Sequence, residues 1–393
     1  MAVFEYTTNT NLVKWIYINI GGTTKLTSIY KKIDGQIASI KKNGIAIESI
    51  FLSTAVAEKT KLTENITLYP VQKAERKYFP QWQLQYYYIK TLDKLLKEHD
   101  ADYYYLRYPF AHPALLRLIK KYPSKFIIEY NAIQILEIKC EEKTKTRASN
   151  ISSIMAKLQD YARPLFYEWL YAKPIIKYAH KTLGVTKQIS EYYKKYKSKT
   201  IAIGNGIATA NYLTRIAPPI INSKIKLLIL DGTSTQAPWQ GTDRLINSII
   251  THKMENVVEI LIAGNNTLSS PHSFVTHLGY LNHDELNNIF NQVHIGTGNL
   301  CIFRKGLLEG AVLKNREYAA RGLPILLAHD DIDISKPAWH DYVYKIKNNE
   351  DIINLPKVHQ WLINLYKQKP QHAFEMATLA KKTLDFEKKL MLL

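Results

Sequence analysis

Short apolar runs alternate with longer amphipathic stretches along most of the chain. The short runs have the length of strands, and the stretches between them repeat apolar residues at helical spacing. This alternation is typical of parallel strands joined by crossover helices. In the first half it predicts strands at 13–20, 46–52, 65–71, 102–108, 125–133, 182–186 and 200–203. It also predicts helices at 28–43, 82–99 and 151–179, the last one kinked or divided by Pro164 and Pro174.

A segment with glycines, a Pro218-Pro219 pair and few charges interrupts the alternation at 204–223. We predict a domain boundary in this segment. The pattern then restarts, with strands at 225–231, 257–263, 276–280, 294–297 and 324–328 and helices at 242–252, 283–293 and 313–321.

The predicted fold class is α/β, with two Rossmann-like domains that face a central cleft. Residues 1–205 form the first domain and 206–370 the second, and 371–393 form a C-terminal amphipathic helix. That helix is expected to pack back on the first domain or to touch a membrane. Because such folds bind ligands at the carboxyl ends of their strands, we expect the active site in the cleft.

The composition excludes several classes of protein. Hydrophobic residues make up 46% and charged residues 22% of the 393 residues, which is typical of globular proteins. The two cysteines, Cys140 and Cys301, lack metal-ligand spacing, which argues against a disulfide scaffold or structural zinc. The N-terminus has no signal-peptide pattern, and no run of about 18 apolar residues occurs. We therefore expect a cytoplasmic protein.

The formal charge of +19 is concentrated in the first half of the chain. Residues 1–200 contain 33 Lys and Arg against 17 Asp and Glu, together with 21 of the 27 tyrosines. A basic surface rich in tyrosine suits an anionic membrane or a nucleic acid, and charge alone does not choose between them.

The segment that most strongly indicates a functional site is 304–324, which reads RKGLLEGAVLKNREYAARGLP. Seven residues separate Glu309 from Glu317, and Gly322-Leu323-Pro324 follows the predicted helix. Here the sequence resembles the retaining GT-B glycosyltransferases of family four, which carry a Glu-x7-Glu element before a helix that ends in a Gly-x-Pro turn.

The spacing also has a physical reason. A loop that leads into a helix offers unpaired backbone N–H groups to anionic oxygens, and a carboxylate one turn inside can accept both hydrogen bonds of a ribose diol. The resemblance implies that Glu309 contacts the donor sugar, Glu317 the ribose and Lys314 the phosphates. Arg304 and Lys305 would help to neutralise the diphosphate. The alternative is that Lys314, Glu317 and Arg321 are ion pairs on a solvated helix.

The stretch 227–244 matches the strand, loop and helix start that open the donor domain in this family. It departs from the family pattern because Gln240 stands where a lysine is common and no basic residue lies between Lys226 and Arg244. Arg244 is then a candidate donor ligand or an ordinary helix-surface charge.

Glycines after other strands complete the candidate site. The resemblance implies base contacts near Gly264, Gly279 and Tyr280, and a glycine-rich loop at 21–25 in which Gly22 approaches the donor diphosphate. A turn is the simpler alternative at each of these glycines.

The catalytic histidine of the family has no clear counterpart in this sequence. His112, which follows a predicted strand, is the best-placed candidate, and Glu129 and Asn131 are similar candidates one strand later. The alternative for each is a helix cap or a loop residue. Asp331 and Asp333 are interpreted as loop or cap residues.

The resemblance implies a glycosyltransferase that works with retention, without metal or other cofactor, on a nucleotide-sugar donor. The acceptor would be a glycan or a lipid-linked glycan in surface polysaccharide or glycoconjugate synthesis, at the inner face of an anionic membrane. Two alternatives remain: a non-catalytic GT-B protein that binds a glycan or a membrane, and a basic nucleic-acid-binding protein. No helix-turn-helix, zinc or RNA-module signature supports the second, so no nucleic acid is expected as a partner.

Overall fold

The computed structural model describes residues 13–24, 27–72, 81–144, 161–196, 199–217, 224–232, 237–264 and 272–390. These residues form two α/β domains, each built on a largely parallel sheet with helices, which confirms the predicted fold class. Several predicted features lie outside the described residues: Lys25 of the glycine loop, the Pro218-Pro219 pair and the first ten residues of the helix predicted at 151–179.

The first domain contains a sheet of eight strands. They are β1 Lys14–Ile20, β2 Ala46–Ser53, β3 Thr60–Lys61, β4 Thr67–Pro70, β5 Tyr103–Arg107, β6 Phe126–Tyr130, β7 Lys181–Gly184 and β8 Thr200–Ala202. The spatial order is β3-β4-β2-β1-β5-β6-β7-β8, and every pairing is parallel except that of β3 with β4. Its described helices are α1 Ser28–Lys42, α2 Gln81–Glu98, α3 Pro113–Lys121, α4 Gln134–Thr144, α5 Arg163–Tyr178 and α6 Lys187–Lys194.

Helix α1 shows how the sequence selects these elements. The Thr27 side chain caps its first turn by accepting a hydrogen bond from the Tyr30 N–H. Ile33, Ile37 and Ile40 recur at helical spacing and are fully buried in the core between α1 and the sheet. The helix therefore covers one face of the strands and brings its N-terminus to their carboxyl edge.

The second domain contains a parallel sheet of six strands in the order β11-β10-β9-β12-β13-β14. The strands are β9 Ile225–Asp231, β10 Val258–Gly264, β11 Val275–Gly279, β12 Ile295–Thr297, β13 Ile325–Leu327 and β14 Val343–Lys345. The helices of the C-terminal half are α7 Thr242–Thr251, α8 His283–Phe290, α9 Leu313–Arg321, α10 Leu355–Gln368, α11 His372–Thr383 and α12 Phe386–Leu390.

The prediction of one C-terminal helix at 371–393 was wrong. The described part of this segment forms two helices that separate at Leu384 and Asp385. Helix α11 packs against α9 in the second domain, whereas α12 packs against α1 in the first. The break arises because Asp385 accepts hydrogen bonds from the N–H and hydroxyl of Thr209 in the interdomain connection.

The helix was predicted to be kinked or divided by its prolines; the structure excludes a division at Pro174, because helix α5 is continuous through it. Pro164 lies in the first turn, where a missing N–H costs nothing, and Pro174 lies inside the helix. Ala172, Ile175 and Ile176 are buried around it, so packing against the first domain holds the helix together. No helix in the described part of the chain has the combination of length and apolar composition that crossing a membrane requires.

Candidate functional site

The carboxyl edges of the two sheets face each other. Gln188, in the first turn of α6 after strand β7, contacts the loop that follows β12, through hydrogen bonds to Leu308 and Glu309. Lys305 of the same loop forms an ion pair of 2.6 Å with Glu137 of α4, which follows β6. Because these contacts join elements that follow the strand ends of both domains, the cleft is where doubly wound folds bind ligands.

Lys314 lies in the first turn of α9, at this edge, and is buried. Its ammonium donates a hydrogen bond to Gln240 Oε1 and forms no ion pair with a carboxylate among the described residues. Burial lowers the pKa of Lys314 to about 8, although the nearby Asp231 partly opposes this shift. A desolvated cation at a helix N-terminus is well placed for a phosphate, which would supply the missing negative charge.

Gln240 stands where a lysine is common in the family that the sequence resembles. Its side-chain amide has two hydrogen-bond partners. Its oxygen accepts from Lys314, and its nitrogen lies 3.4 Å from Asp231 Oδ1 at the end of β9. The substitution thus keeps Lys314 oriented without adding a second buried cation.

Glu309 lies four residues before α9, in the predicted loop, but the helix end that it contacts belongs to the other domain. Its Oε2 accepts a 2.9 Å hydrogen bond from the backbone N–H of Gln188 in α6. The Gln188 side-chain oxygen in turn accepts from the N–H groups of Leu308 and Glu309. Gln188 therefore fixes both the backbone and the carboxylate of Glu309, a role that no local sequence signal revealed.

Glu317 lies one turn inside α9 and pairs with Arg321 at 3.1 Å, as the ion-pair alternative anticipated. The helix is not a solvated one, however, because Lys314, Arg316 and Arg321 are buried. The Arg321 guanidinium also packs over the rings of Tyr212 and Phe290.

A cavity of about 220 Å³ opens beside this pair. It is lined by both domains, with Lys31 and Asp34 of α1 on one side and Tyr212, His283 and Arg321 on the other. Burial, and after it the charge of Glu317, raises the pKa of Tyr212 above its ordinary value.

The other predicted cations have protein partners. Arg304 pairs with Asp243 and Glu350, and the hydrogen bonds that it donates to Glu350 raise its pKa. Lys305 lies 3.7 Å from the ring centre of Trp239 in addition to its pair with Glu137. Arg244 is buried and donates to the carbonyl groups of Leu300, Lys347 and Asp351. These contacts stabilise loops at the cleft, and roles of the three cations toward a donor or in catalysis stay predictions.

The predicted glycines take different parts. Gly264 has φ +126°, and a Cβ there would lie 1.7 Å from the Asp231 carbonyl oxygen, so the close approach of β9 and β10 requires glycine. Gly279 ends β11 with no heavy atom within 4 Å of a built Cβ, and Tyr280 is 62% exposed beside it. The N–H of Gly22 donates to the Leu52 carbonyl oxygen at 2.7 Å. Contact between that N–H and a diphosphate would therefore require the loop to rearrange.

His112 caps helix α3, which is the alternative role that loop position suggested. Its Nδ1 accepts from the Ala114 N–H at 3.1 Å, and burial lowers its pKa to about 4. The ring is therefore neutral at pH 7. The adjoining loop is held by Glu168 of α5, which accepts hydrogen bonds from the Ala111 N–H and the Tyr108 hydroxyl. Burial raises the pKa of Glu168 to about 7.

Sequence reasoning did not single out Arg107 at the carboxyl end of β5. Its side chain is half-buried and forms no ion pair or side-chain hydrogen bond with another described residue. Its charge nevertheless acts on Tyr17, Tyr30 and Lys32 around the β1–α1 loop. The period-two pattern of the strand could have found it, because Arg107 follows Tyr105 on the same face.

The predicted candidate Glu129 belongs to a buried network below Arg107. It accepts hydrogen bonds from Lys32 at 2.7 Å, Tyr105 at 2.6 Å and Asn131 at 2.8 Å. Burial alone would raise its pKa, but the Lys32 ammonium and these donors bring it to about 2. Glu129 is therefore ionised and fully paired.

Asp331 and Asp333 lie in a loop, which agrees with their interpretation as loop or cap residues, and together they hold a buried cation. Asp331 Oδ1 accepts from the N–H groups of Asp333 and Ile334, and both carboxylates pair with the buried Arg316. Across the described ranges, no group of three or more His, Cys, Asp or Glu side chains could hold a metal ion.

No protein-family model and no curated protein sequence matches this chain. Solved structures do share its fold. The sucrose-phosphate synthase of Thermosynechococcus elongatus gives a TM-score of 0.65 at 9% identity over 97% of each chain. A glycosyltransferase of Rickettsia africae gives 0.61 at 12% identity over 98% of each chain. The catalytic domain of starch synthase IV from Arabidopsis thaliana, bound to ADP and acarbose, gives 0.60 at 9% identity over 98% of each chain. The fold is therefore the two-domain GT-B architecture.

Proposed function

We propose that this protein is a glycosyltransferase that moves a sugar from a nucleotide-sugar donor held mainly by the second domain. One observation carries the proposal: Lys314 is a buried cation without a carboxylate partner among the described residues, between Glu309 and Glu317 at the cleft. The fold supports it, since a structure that shares this fold is a starch synthase bound to ADP.

In the proposed complex, Lys314 binds the diphosphate of the donor. Glu317 exchanges its bond with Arg321 for the ribose hydroxyls, and Glu309 contacts the donor sugar from the loop that Gln188 holds. Tyr280, exposed at the end of β11, lies where the base is expected. When Glu317 makes this exchange, hydrogen bonds to the ligand replace its bond to Arg321, so the carboxylate stays paired in the complex.

The proposed reaction needs neither metal nor other cofactor and proceeds with retention. As the anomeric bond ionises, negative charge develops on the departing diphosphate. Lys314 would stabilise that charge from the second domain, and Arg107 is a candidate from the first. Fixed cations in a closed cleft require little reorganisation at that moment, which makes electrostatic stabilisation effective. The departing phosphate can then accept the proton of the attacking hydroxyl.

The acceptor is proposed to be a glycan or a lipid-linked glycan in surface polysaccharide or glycoconjugate synthesis. Its reacting hydroxyl would enter from the first domain, along the loop that contains His112. The neutral imidazole is a candidate for orienting that hydroxyl. The excess of basic residues in the first domain suits an acceptor carried by an anionic membrane.

The test is a thermal-shift screen of UDP, GDP, ADP and dTDP and their sugar conjugates against wild type and Lys314→Met. Lys357→Met is the matched control, because Lys357 also lies in the first turn of a helix of this domain but is exposed. One nucleotide series should stabilise wild type and the control, by about 3 kcal/mol at a hundredfold excess over Kd, and should stabilise Lys314→Met much less.

Two results would contradict the proposal. Failure of every nucleotide at millimolar concentration to stabilise wild type would remove the donor site. Equal stabilisation of Lys314→Met would place the nucleotide elsewhere. Stabilisation without hydrolysis or transfer of any sugar would instead favour the non-catalytic alternative.

A further inference from the structure

Helix α5 of the first domain presents an unusual outer face. Three large apolar side chains lie on it: Phe166 is 52% exposed, Trp169 71% and Leu170 41%. The rings of Phe166 and Trp169 are 6.1 Å apart, so they form one surface. The outer face of a helix in a globular domain is normally polar, and a cluster of this kind indicates a binding surface.

Basic residues flank the apolar cluster on the same side of the helix. We define the α5 patch as Arg163, Phe166, Trp169, Leu170, Lys173 and Lys177, all of which are exposed. At about 100° per residue these six positions fall within an arc of about 120°. The one carboxylate of the helix, Glu168, is buried on the opposite side. The patch therefore combines aromatic rings with positive charge and contains no acidic residue.

We propose that the α5 patch docks on the surface of an anionic lipid bilayer. Trp and Phe favour the interfacial layer of a membrane, and lysine stems can lie along it while their ammonium groups reach the phosphates. Each basic residue near an anionic surface adds attraction, so charge complementarity selects lipid as the occupant. A second copy of the chain fits less well, because a symmetric interface would bring the basic residues of both copies together.

The buried side of α5 connects this surface to the cleft. Glu168 bonds the loop at 108–112, and the ring of Tyr167 packs edge-on against His112 at 5.4 Å between centroids. Docking through the outer side would hold that loop about one helix diameter, roughly 10 Å, from the lipid. A lipid-linked acceptor could then reach the first domain without leaving the bilayer, a consequence that rests on the proposed function.

The experiment is flotation with vesicles of phosphatidylcholine alone and of phosphatidylcholine mixed with phosphatidylglycerol, without nucleotide. Two double variants are compared with wild type, Phe166→Ser with Trp169→Ser and Lys173→Glu with Lys177→Glu. Phe374→Ser is the matched control, because Phe374 is 67% exposed on α11 of the C-terminal half. Wild type and control should float with the anionic vesicles only, and both double variants should bind at least about tenfold more weakly.

Thermal melts confirm that each variant is folded, and quenching of Trp169 by brominated lipid provides a second measurement. Absence of wild-type binding, equal binding to neutral vesicles, or unchanged binding of the Phe166 and Trp169 variant would overturn the proposal. A wild-type dimer in ultracentrifugation that becomes a monomer in this variant would also overturn it, since the patch would then bind a second copy of the chain. None of these measurements involves nucleotide, so their outcome does not decide whether the proposed function is correct.

Discussion

At the scale of single residues, burial decides what each charged side chain in the 304–324 string does. The sequence left two interpretations of Lys314, a phosphate ligand or a member of an ion pair on a solvated helix. The structure removes the solvated helix, because Lys314 is 8% exposed and bonds Gln240 rather than Glu317. An isolated buried ammonium is costly, and a diphosphate would relieve that cost.

The pH dependence of nucleotide affinity should reveal Lys314 directly. Its pKa of about 8 means that the free protein loses this charge as pH rises through 8, while a bound diphosphate would hold the proton. Affinity for the stabilising nucleoside diphosphate should therefore be constant below pH 8 and fall about tenfold per pH unit above it. The phosphates of the nucleotide do not contribute to this decline, because they are already ionised at pH 8 and above.

Calorimetric titrations between pH 7 and 9.5 measure this dependence. Lys314→Met should bind more weakly and show no decline above pH 8, whereas Lys357→Met should follow wild type. A flat profile for wild type would show that Lys314 does not contact the diphosphate.

At the scale of elements, the sequence correctly predicted those features of the helices and strands that depend on nearby residues in the chain. Strand β9 and helix α9 were predicted to the residue, because an apolar run marks the first and Gly322 with Pro324 ends the second. The contact of Glu309 with α6 and the break at Asp385 were not predictable. Both depend on partners more than 100 residues away in the chain, Gln188 and Thr209, which no spacing encodes.

The end of α9 offers a test of its packing. Gly322 has φ +79°, and a Cβ there would lie 2.2 Å from the carbonyl oxygen of Ala373 on α11. Gly44 follows α1 with nearly the same φ, +78°, and no heavy atom within 4 Å of a built Cβ. Gly44→Ala should cost about 1 kcal/mol from backbone strain alone. Gly322→Ala should cost about 2–4 kcal/mol, since strain and clash combine.

Urea unfolding followed by circular dichroism measures both free energies. The comparison isolates the packing of α9 against α11, because the two glycines share the backbone conformation and differ in their neighbours. Equal costs at the two positions would mean that α11 moves away easily and does not brace the helix that contains Lys314 and Glu317.

At the scale of the whole molecule, apolar packing of Ile302 and Leu307 in the core of the first domain and several polar contacts hold the two domains with their strand ends facing. Gln188 holds the loop at 306–309, and Lys305 pairs with Glu137 across the same cleft. The residues proposed to bind the donor, Lys314, Glu317 and Tyr280, lie in the second domain. Donor affinity and donor alignment should therefore be separable by mutation.

Gln188→Ala tests this separation. Without the side-chain amide, the N–H groups of Leu308 and Glu309 lose their first-domain partner. Only the bond from the backbone N–H of residue 188 to the carboxylate then still aligns Glu309 with the donor sugar. We expect the transfer rate to fall about tenfold to a hundredfold, because small misplacements of an aligned group are costly. Nucleotide affinity should change little, since Lys314 and Glu317 keep their contacts. Gln360→Ala is the control, because Gln360 lies on the outer side of α10 with a bond to Asn364; it should leave both quantities unchanged.

Loss of affinity and rate together would mean that Gln188 maintains the fold of the cleft. Loss of rate alone would mean that the contact between the domains positions Glu309 for the reaction.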